Sequence, residues 1–236
     1  KSMTNIKKRH FCKSVALLSL VPLLKINFLS ANTNVQNSVL SGSVIINGKK
    51  VSKNSDLDFD QITDVETGNQ LSLIKNDQDG FLVRPNSKLV FYKNKIRELV
   101  QGSIHGVFGK KSDELKINSP RGTIGIRGTV TYIEHVGDKN FTYVCNCYGT
   151  TAVYNQKNKL LKTLDTKYHS PLIITQENKI AESPYNVPLN HYDDNILNIE
   201  NALGREPRWE LPNGKMLFLA PDKEKFNLSK ITLKTF

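Results

Sequence analysis

Two cysteines two residues apart, Cys145 and Cys147, are the side chains in this 236-residue chain best suited to chemistry. The other thiol of the sequence is Cys12, near its start. In an extended strand, residues i and i+2 project from one face, so both sulfurs point the same way. Their Cα atoms fall within disulfide reach, yet parallel Cβ directions would strain the bond. A pair of thiolates on one face instead supplies half of a tetrahedral transition-metal site, which one or two imidazoles complete, with zinc, copper and iron all open as the ion. The alternative is packing: free cysteine is among the most buried residue types, and Phe141 and Tyr143 share the same face. The histidines, His10, His105, His135, His169 and His191, show no spacing that pairs a nucleophile with a base. Binding rather than catalysis is therefore expected.

A hairpin or meander from Ser119 to Gly149 must position the cysteines. Ile124, Ile126, Val130 and Tyr132 alternate with Thr123, Arg127, Thr129 and Thr131, the period of a strand with one buried face. Gly137-Asp138-Lys139-Asn140 supplies the turn, and Phe141, Tyr143, Cys145 and Cys147 line one face of the returning strand.

The run Thr123-Ile124-Gly125-Ile126-Arg127-Gly128-Thr129 resembles the G-V-R-G-T signature of FecR-type domains, with Gly125, Arg127, Gly128 and Thr129 as its signature residues. A stand-alone proteobacterial branch of that family carries C-T-C-Y-G, T-x-x-H-H-D-A-P, N-H-T-D and L-V-G-R segments. The matching residues here are Cys145 to Gly149, Thr166 to Pro171, Asn190 to Asp193 and Ala202 to Arg205, with Tyr168 standing where the first histidine of the pair would be. The resemblance spans residues 39–209 and singles out His169 and His191 as the imidazoles that would join Cys145 and Cys147 around a metal. In the regulators that name the family, a periplasmic module is joined through a membrane helix to a cytoplasmic anti-sigma segment. Neither is legible here, so the resemblance implies an exported module that binds another envelope protein as a scaffold or signalling partner. A small periplasmic metal-binding or redox protein is the alternative.

Residues 1–31 read as a signal peptide, with a basic start at Lys7-Lys8-Arg9, an apolar run from Val15 to Leu24 and small residues at Ser30-Ala31. The apolar run falls well short of the ~20 residues that span a bilayer as a helix. Lys8-Arg9-His10-Phe11-Cys12-Lys13 is similar to a twin-arginine export motif with lysine in the first arginine position. More than half of the formal charge of +11 lies in this segment, and no nucleic-acid-binding motif accompanies the scattered remainder, so nucleic acid is not an expected partner.

Residues 32–38 read as a flexible polar lead-in, and residues 39–209 as the domain. Asn47-Gly48 predicts a type I′ hairpin, with Val44, Ile45 and Ile46 buried on both sides. Asp56, Asp58, Asp60 and Asp64 read as a solvated strand edge, since the glycine and terminal glutamate of a calcium loop are missing. Short strands with regular turns predict a mainly β solenoid, barrel-like or sandwich domain. One helix is expected at about 193–203, capped by Asp193 or Asp194, with Ile196, Ile199 and Leu203 on its buried face and Trp209 as a lid. Residues 210–236 form an extension outside the resemblance. The abundant lysine and asparagine read as solvated surface or genomic bias, without functional weight.

Overall fold

Apolar runs, many of them ended by an asparagine or glycine that accepts a left-handed backbone, fold into fifteen strands and one α-helix among the described residues. The computed structural model describes residues 37–110, 112–183 and 187–218; the expected signal segment and the lead-in up to residue 36 lie outside them. In chain order the strands are β1 (Asn37–Ser41), β2 (Ser43–Ile46), β3 (Lys49–Ser52), β4 (Asp64–Glu66), β5 (Ser72–Asn76), β6 (Asp79–Val83), β7 (Lys88–Tyr92) and β8 (Lys95–Val107). They continue with β9 (Leu115–Ser119), β10 (Gly122–Ile126), β11 (Val130–Val136), β12 (Phe141–Tyr154), β13 (Leu160–Thr166), β14 (Ser170–Ile174) and β15 (Ile180–Glu182), followed by α1 (Asp193–Ala202). No helix among the described residues is long and apolar enough to cross a membrane.

Two long strands organise the rest. The start of β8 pairs with β7 and β9 and its end with β6 and β11, while β12 pairs first with β11 and β14 and then with β10 and β13. The circuit β8-β9-β10-β12-β11 closes on itself as a five-strand barrel, antiparallel except where Glu98 of β8 meets Asn118 of β9. The expected mainly β, barrel-like class with one short helix is what the chain adopts. A first core lies inside, formed by Ile74, Phe81, Ile104, Ile117, Ile124, Ile133, Val144 and their neighbours. A second covers the opposite face of the β8-β11-β12 sheet, where Tyr132, Tyr143, Cys145 and Cys147 meet Leu189, Ile196 and Ile199. A ten-residue helix is marginal alone, but burying Ile196 and Ile199 contributes roughly 1.5–3 kcal/mol for each side chain. Gly80 makes room for it, since a Cβ there would come within 2.6 Å of Ile199 Cγ2.

Several sequence expectations are corrected. The lead-in ends earlier, because Asn37 and Ser38 already pair with Asn76 and Lys75, and Ser38 is buried. Ile45 is exposed between buried Val44 and Ile46, so β2 has one wet face. The acidic stretch before β4 is a loop anchored by Phe59 and Ile62 in the core, and Asp58 turns it by accepting the Asp60 N–H. Asparagines carry the positive φ angles of most turns, Asn47, Asn86, Asn140, Asn158 and Asn178 among them, which gives the asparagine bias a structural role. The expected continuous strand from Ile124 to Tyr132 is broken at Arg127-Gly128-Thr129: β10 pairs with the end of β12 and β11 with its start, and Gly128 (φ +68) turns the corner against Lys110. The helix cap is Tyr192, whose N–H is accepted by Asn195 Oδ1, and Asp193 is turned inward instead.

Candidate metal centre

Register across the sheet sets up the site. His105 on β8 pairs with Tyr132 on β11, which pairs with Cys145 on β12, which pairs with Pro171 on β14, so these residues form one row on the outer face. One step along β12 the ladder slips: Thr131 faces Asn146 and Val130 faces Tyr148, which leaves Cys147 as the extra residue of a β-bulge. The bulge lets Cys145, Cys147 and Tyr148 all contribute to the second core. It is fastened from behind. Asn146, fully buried on the opposite side, donates to the carbonyls of Gly149 (2.6 Å) and Leu164 (3.0 Å), while its Oδ1 meets the hydroxyls of Thr129 (2.7 Å) and Thr151 (3.1 Å). The Thr129 hydroxyl also touches the Tyr148 carbonyl. The signature corner therefore holds the bulge that presents the cysteines. Arg127 contributes only an ion pair to Glu114 (3.5 Å), and its side chain is mostly exposed.

The two histidines arrive from segments that cross this face. His169 precedes β14, donates its backbone N–H to the Cys147 carbonyl (2.9 Å) and adopts φ +25, a conformation that costs a non-glycine residue on the order of 1–3 kcal/mol. Its Nε2 bonds Asp193 Oδ1 (2.9 Å), which turns Nδ1 toward Cys145 Sγ at 3.6 Å. His191 stacks on Tyr132 with ring centroids 4.4 Å apart, and its Nδ1 donates to the Leu189 carbonyl (2.7 Å). Its Nε2 is buried with no hydrogen-bond partner among the described residues. One ligand atom from each of Cys145, Cys147, His169 and His191 lies within 4.8 Å of all the others.

This donor set fits a metal. Each imidazole has one nitrogen committed to an outer oxygen and the other left open toward the sulfurs, the arrangement that fixes tautomer and aim in histidine metal sites. Four buried or nearly buried ligands, two sulfur and two nitrogen, match closed tetrahedral sites of zinc. Electrostatics favour ligation as well. Burial opposes ionisation of Cys145, yet the Cys147 hydrogen bond and the neighbouring His191 and His169 hold its thiol well below the ordinary range. Burial and the charge on Cys145 push Cys147 up. Burial alone would depress His169, but Asp193 and Cys145 raise it to about 9, and His191 is depressed by burial. Asp193 resists the effect of burial through bonds from His169 and Tyr168 and stays below its usual value.

The four residues expected to form the metal set thus come together, whereas His135 stands apart with its Nδ1 on the Phe141 carbonyl. The motif reading gives the other contributors no role at the site. Asp193, two residues after His191, orients His169. Tyr168, where the resemblance leads one to expect histidine, donates its hydroxyl proton to Asp193. The start of the C-terminal extension covers the site: Leu217 and Phe218 donate backbone N–H groups to Asp193 Oδ2 (3.0 and 3.1 Å), and Phe218 stacks on Tyr168. Trp209 packs edge-on against Tyr148 and Tyr168, as its expected covering role requires. His105, fully buried, brings Nε2 to 3.5 Å from Cys147 Sγ. An imidazole set between Ile104 and Val107, at the buried end of β8, was its available signal.

No family model and no curated protein matches the chain. Two crystal structures from Parabacteroides distasonis, each described as "a putative anti-sigma factor", are similar in fold. One is 8% identical with a TM-score of 0.44, covering 51% of this chain, and the chain spans 59% of that protein's length. The other is 9% identical with a TM-score of 0.47, covering 69% of this chain and 85% of that one.

Proposed function

We propose that this is an exported, FecR-like β domain that acts by binding, and that what it binds is one transition-metal ion held by Cys145, Cys147, His169 and His191. The observation that supports this is the convergence of four ligand atoms within 4.8 Å, with both imidazoles oriented by outer bonds. Zinc is the ion the set favours: the ligand count leaves no open coordination position, so the ion ties β12 to the segments carrying His169 and His191 rather than performing catalysis. The signal-like residues 1–31 support a periplasmic location, and folding before export would let the thiolates take up metal under reducing conditions.

Elemental analysis of protein purified without added metal tests the reading. About one ion per chain is expected, and its removal by a chelator should lower the unfolding temperature, since a ligand that binds only the folded state stabilises it. Metal-free protein that unfolds at the same temperature as protein incubated with zinc, copper or iron would sink the proposal.

A second reading, binding of another envelope protein, is favoured by β13, whose one paired neighbour among the described strands is β12 and which leaves Leu160 about half exposed. Capture from periplasmic extract by the native protein, lost on Leu160→Lys, is the expected outcome; capture unaffected by that change would remove β13 from consideration.

A further inference from the structure

His105 is the one imidazole at this site outside the four-ligand set, and it rests on the metal reading above. It lies in the row His105, Tyr132, Cys145 and meets the sulfur of Cys147. Its ring meets that of Tyr132 edge-on at 5.8 Å and that of His191 at 5.0 Å. Nε2 is 3.5 Å from Cys147 Sγ, and Nδ1 is buried with no hydrogen-bond partner among the described residues. A neutral imidazole carries one N–H. Placing it on Nδ1 would strand a buried donor, whereas placing it on Nε2 aims it at sulfur and leaves only a lone pair unmet. We infer that His105 donates Nε2–H to the thiolate of Cys147 when a metal is bound, acting as a positioning residue that lowers electron donation from that sulfur to the ion.

The two thiolates are then unequal. Cys147 carries a hydrogen bond from a side chain, while Cys145 faces the imidazole nitrogen of His169, which binding of the ion redirects to metal. A thiolate that accepts an N–H is less basic and resists both protonation and oxidation. The hydrogen bond also explains why a polar ring is tolerated among Leu82, Val107 and Tyr132 in the second core.

Cobalt(II), which reports thiolate ligation through its absorption, is the probe for the full chain. In His105→Phe the cobalt stoichiometry and the ligand-field bands of a four-coordinate ion should persist. The sulfur-to-cobalt charge-transfer band should move to longer wavelength, and affinity should fall about tenfold or more, the scale of losing an outer partner. His105→Gln, which keeps an N–H, should return both toward the native values. On native protein loaded with an NMR-active cadmium isotope, a scalar correlation should run from the metal through sulfur to the His105 Nε2 proton. An unshifted charge-transfer band in His105→Phe, or a direct cadmium coupling to a His105 nitrogen, would overturn the inference, the first making His105 a space-filler and the second a ligand. If native protein takes up neither cobalt nor cadmium, the metal reading itself has failed; native uptake with an indifferent His105→Phe defeats only the present inference.

Discussion

His169 and Asp193 are locked together by a 2.9 Å bond from Nε2 to Oδ1, both side chains almost wholly out of solvent. Asp193 touches no sulfur-facing atom of the site, yet it decides which nitrogen of His169 faces Cys145. In Asp193→Asn the shape persists but the carboxylate does not, so metal affinity should fall about 10–100-fold with the stoichiometry unchanged. Competition against a coloured chelator measures this, and native affinity in the variant would show that Asp193 serves only to seat the helix.

The cysteines separate a metal site from a packed core by whether their loss depends on metal. If Cys145 and Cys147 bind an ion, Cys145→Ala and Cys147→Ala should each bring the unfolding temperature of metal-loaded protein down to near that of chelator-treated native protein. The same changes in metal-free protein should cost only about 1 kcal/mol, for small buried groups. Thermal scans with and without chelator read both. Equal losses in the two conditions would return the thiols to a packing role.

Asn146 was visible in the sequence only as the residue between the cysteines, yet its four polar contacts hold the bulge. Asn146→Ala strands the carbonyls of Gly149 and Leu164 and should cost roughly 2–4 kcal/mol, since each unmet buried group costs about 1–3 kcal/mol. It should also weaken metal binding although Asn146 is no ligand. Denaturant unfolding checks the first part and cobalt titration the second; an unchanged midpoint would mean the bulge is held elsewhere.

What was legible in the sequence follows from locality. Alternation along β12 put Cys145 and Cys147 on one face, Asn47-Gly48 gave its hairpin, and Ile196, Ile199 and Leu203 gave the buried side of α1, because each pattern is written within a few residues. The break at Gly128 was not legible: Thr123 to Thr131 alternates as a single strand would, and only the closure of the barrel by β8, far off in sequence, requires a corner there. The same holds for His105, which meets Cys147 from 42 residues away, and for Asp193 and Phe218, which meet His169 from other segments of the chain. His169 and His191 were named through the resemblance, since no spacing rule links a cysteine pair to histidines brought in by two separate loops.

The raised value of His169, about 9 against 6.5 for a free imidazole, makes stability respond oppositely to pH with and without metal. In metal-free protein the protonated ring bonds Asp193 and Cys145, a contribution fully present below pH 6.5 and lost as pH rises through about 9. Metal needs that nitrogen unprotonated, so below about pH 9 the proton competes and affinity falls as pH falls. Calorimetric scans between these pH values should show the metal-free unfolding temperature declining while the increment from added metal grows. Parallel slopes would mean that His169 is not a ligand.

Residues 217 and 218 turn the start of the C-terminal extension into a strap over the site. Their two N–H groups bond Asp193 Oδ2, Phe218 accepts the Asp193 N–H through its own carbonyl at 2.8 Å, and its ring closes over Tyr168 and the edge of His169. A chain ending at Met216 keeps every proposed ligand and every strand among the described residues, so its circular dichroism should match the native protein. Hydrogen bonds to a charged group are worth about 1.5–3 kcal/mol each, and losing two from Asp193 should speed transfer of bound metal to a chelator by at least about tenfold. Phe218→Ala, which keeps the backbone bonds but opens the ring contact, should fall between the two. A shortened chain that releases metal at the native rate would show that burial of His169 is maintained by Tyr168 and Trp209 without the strap.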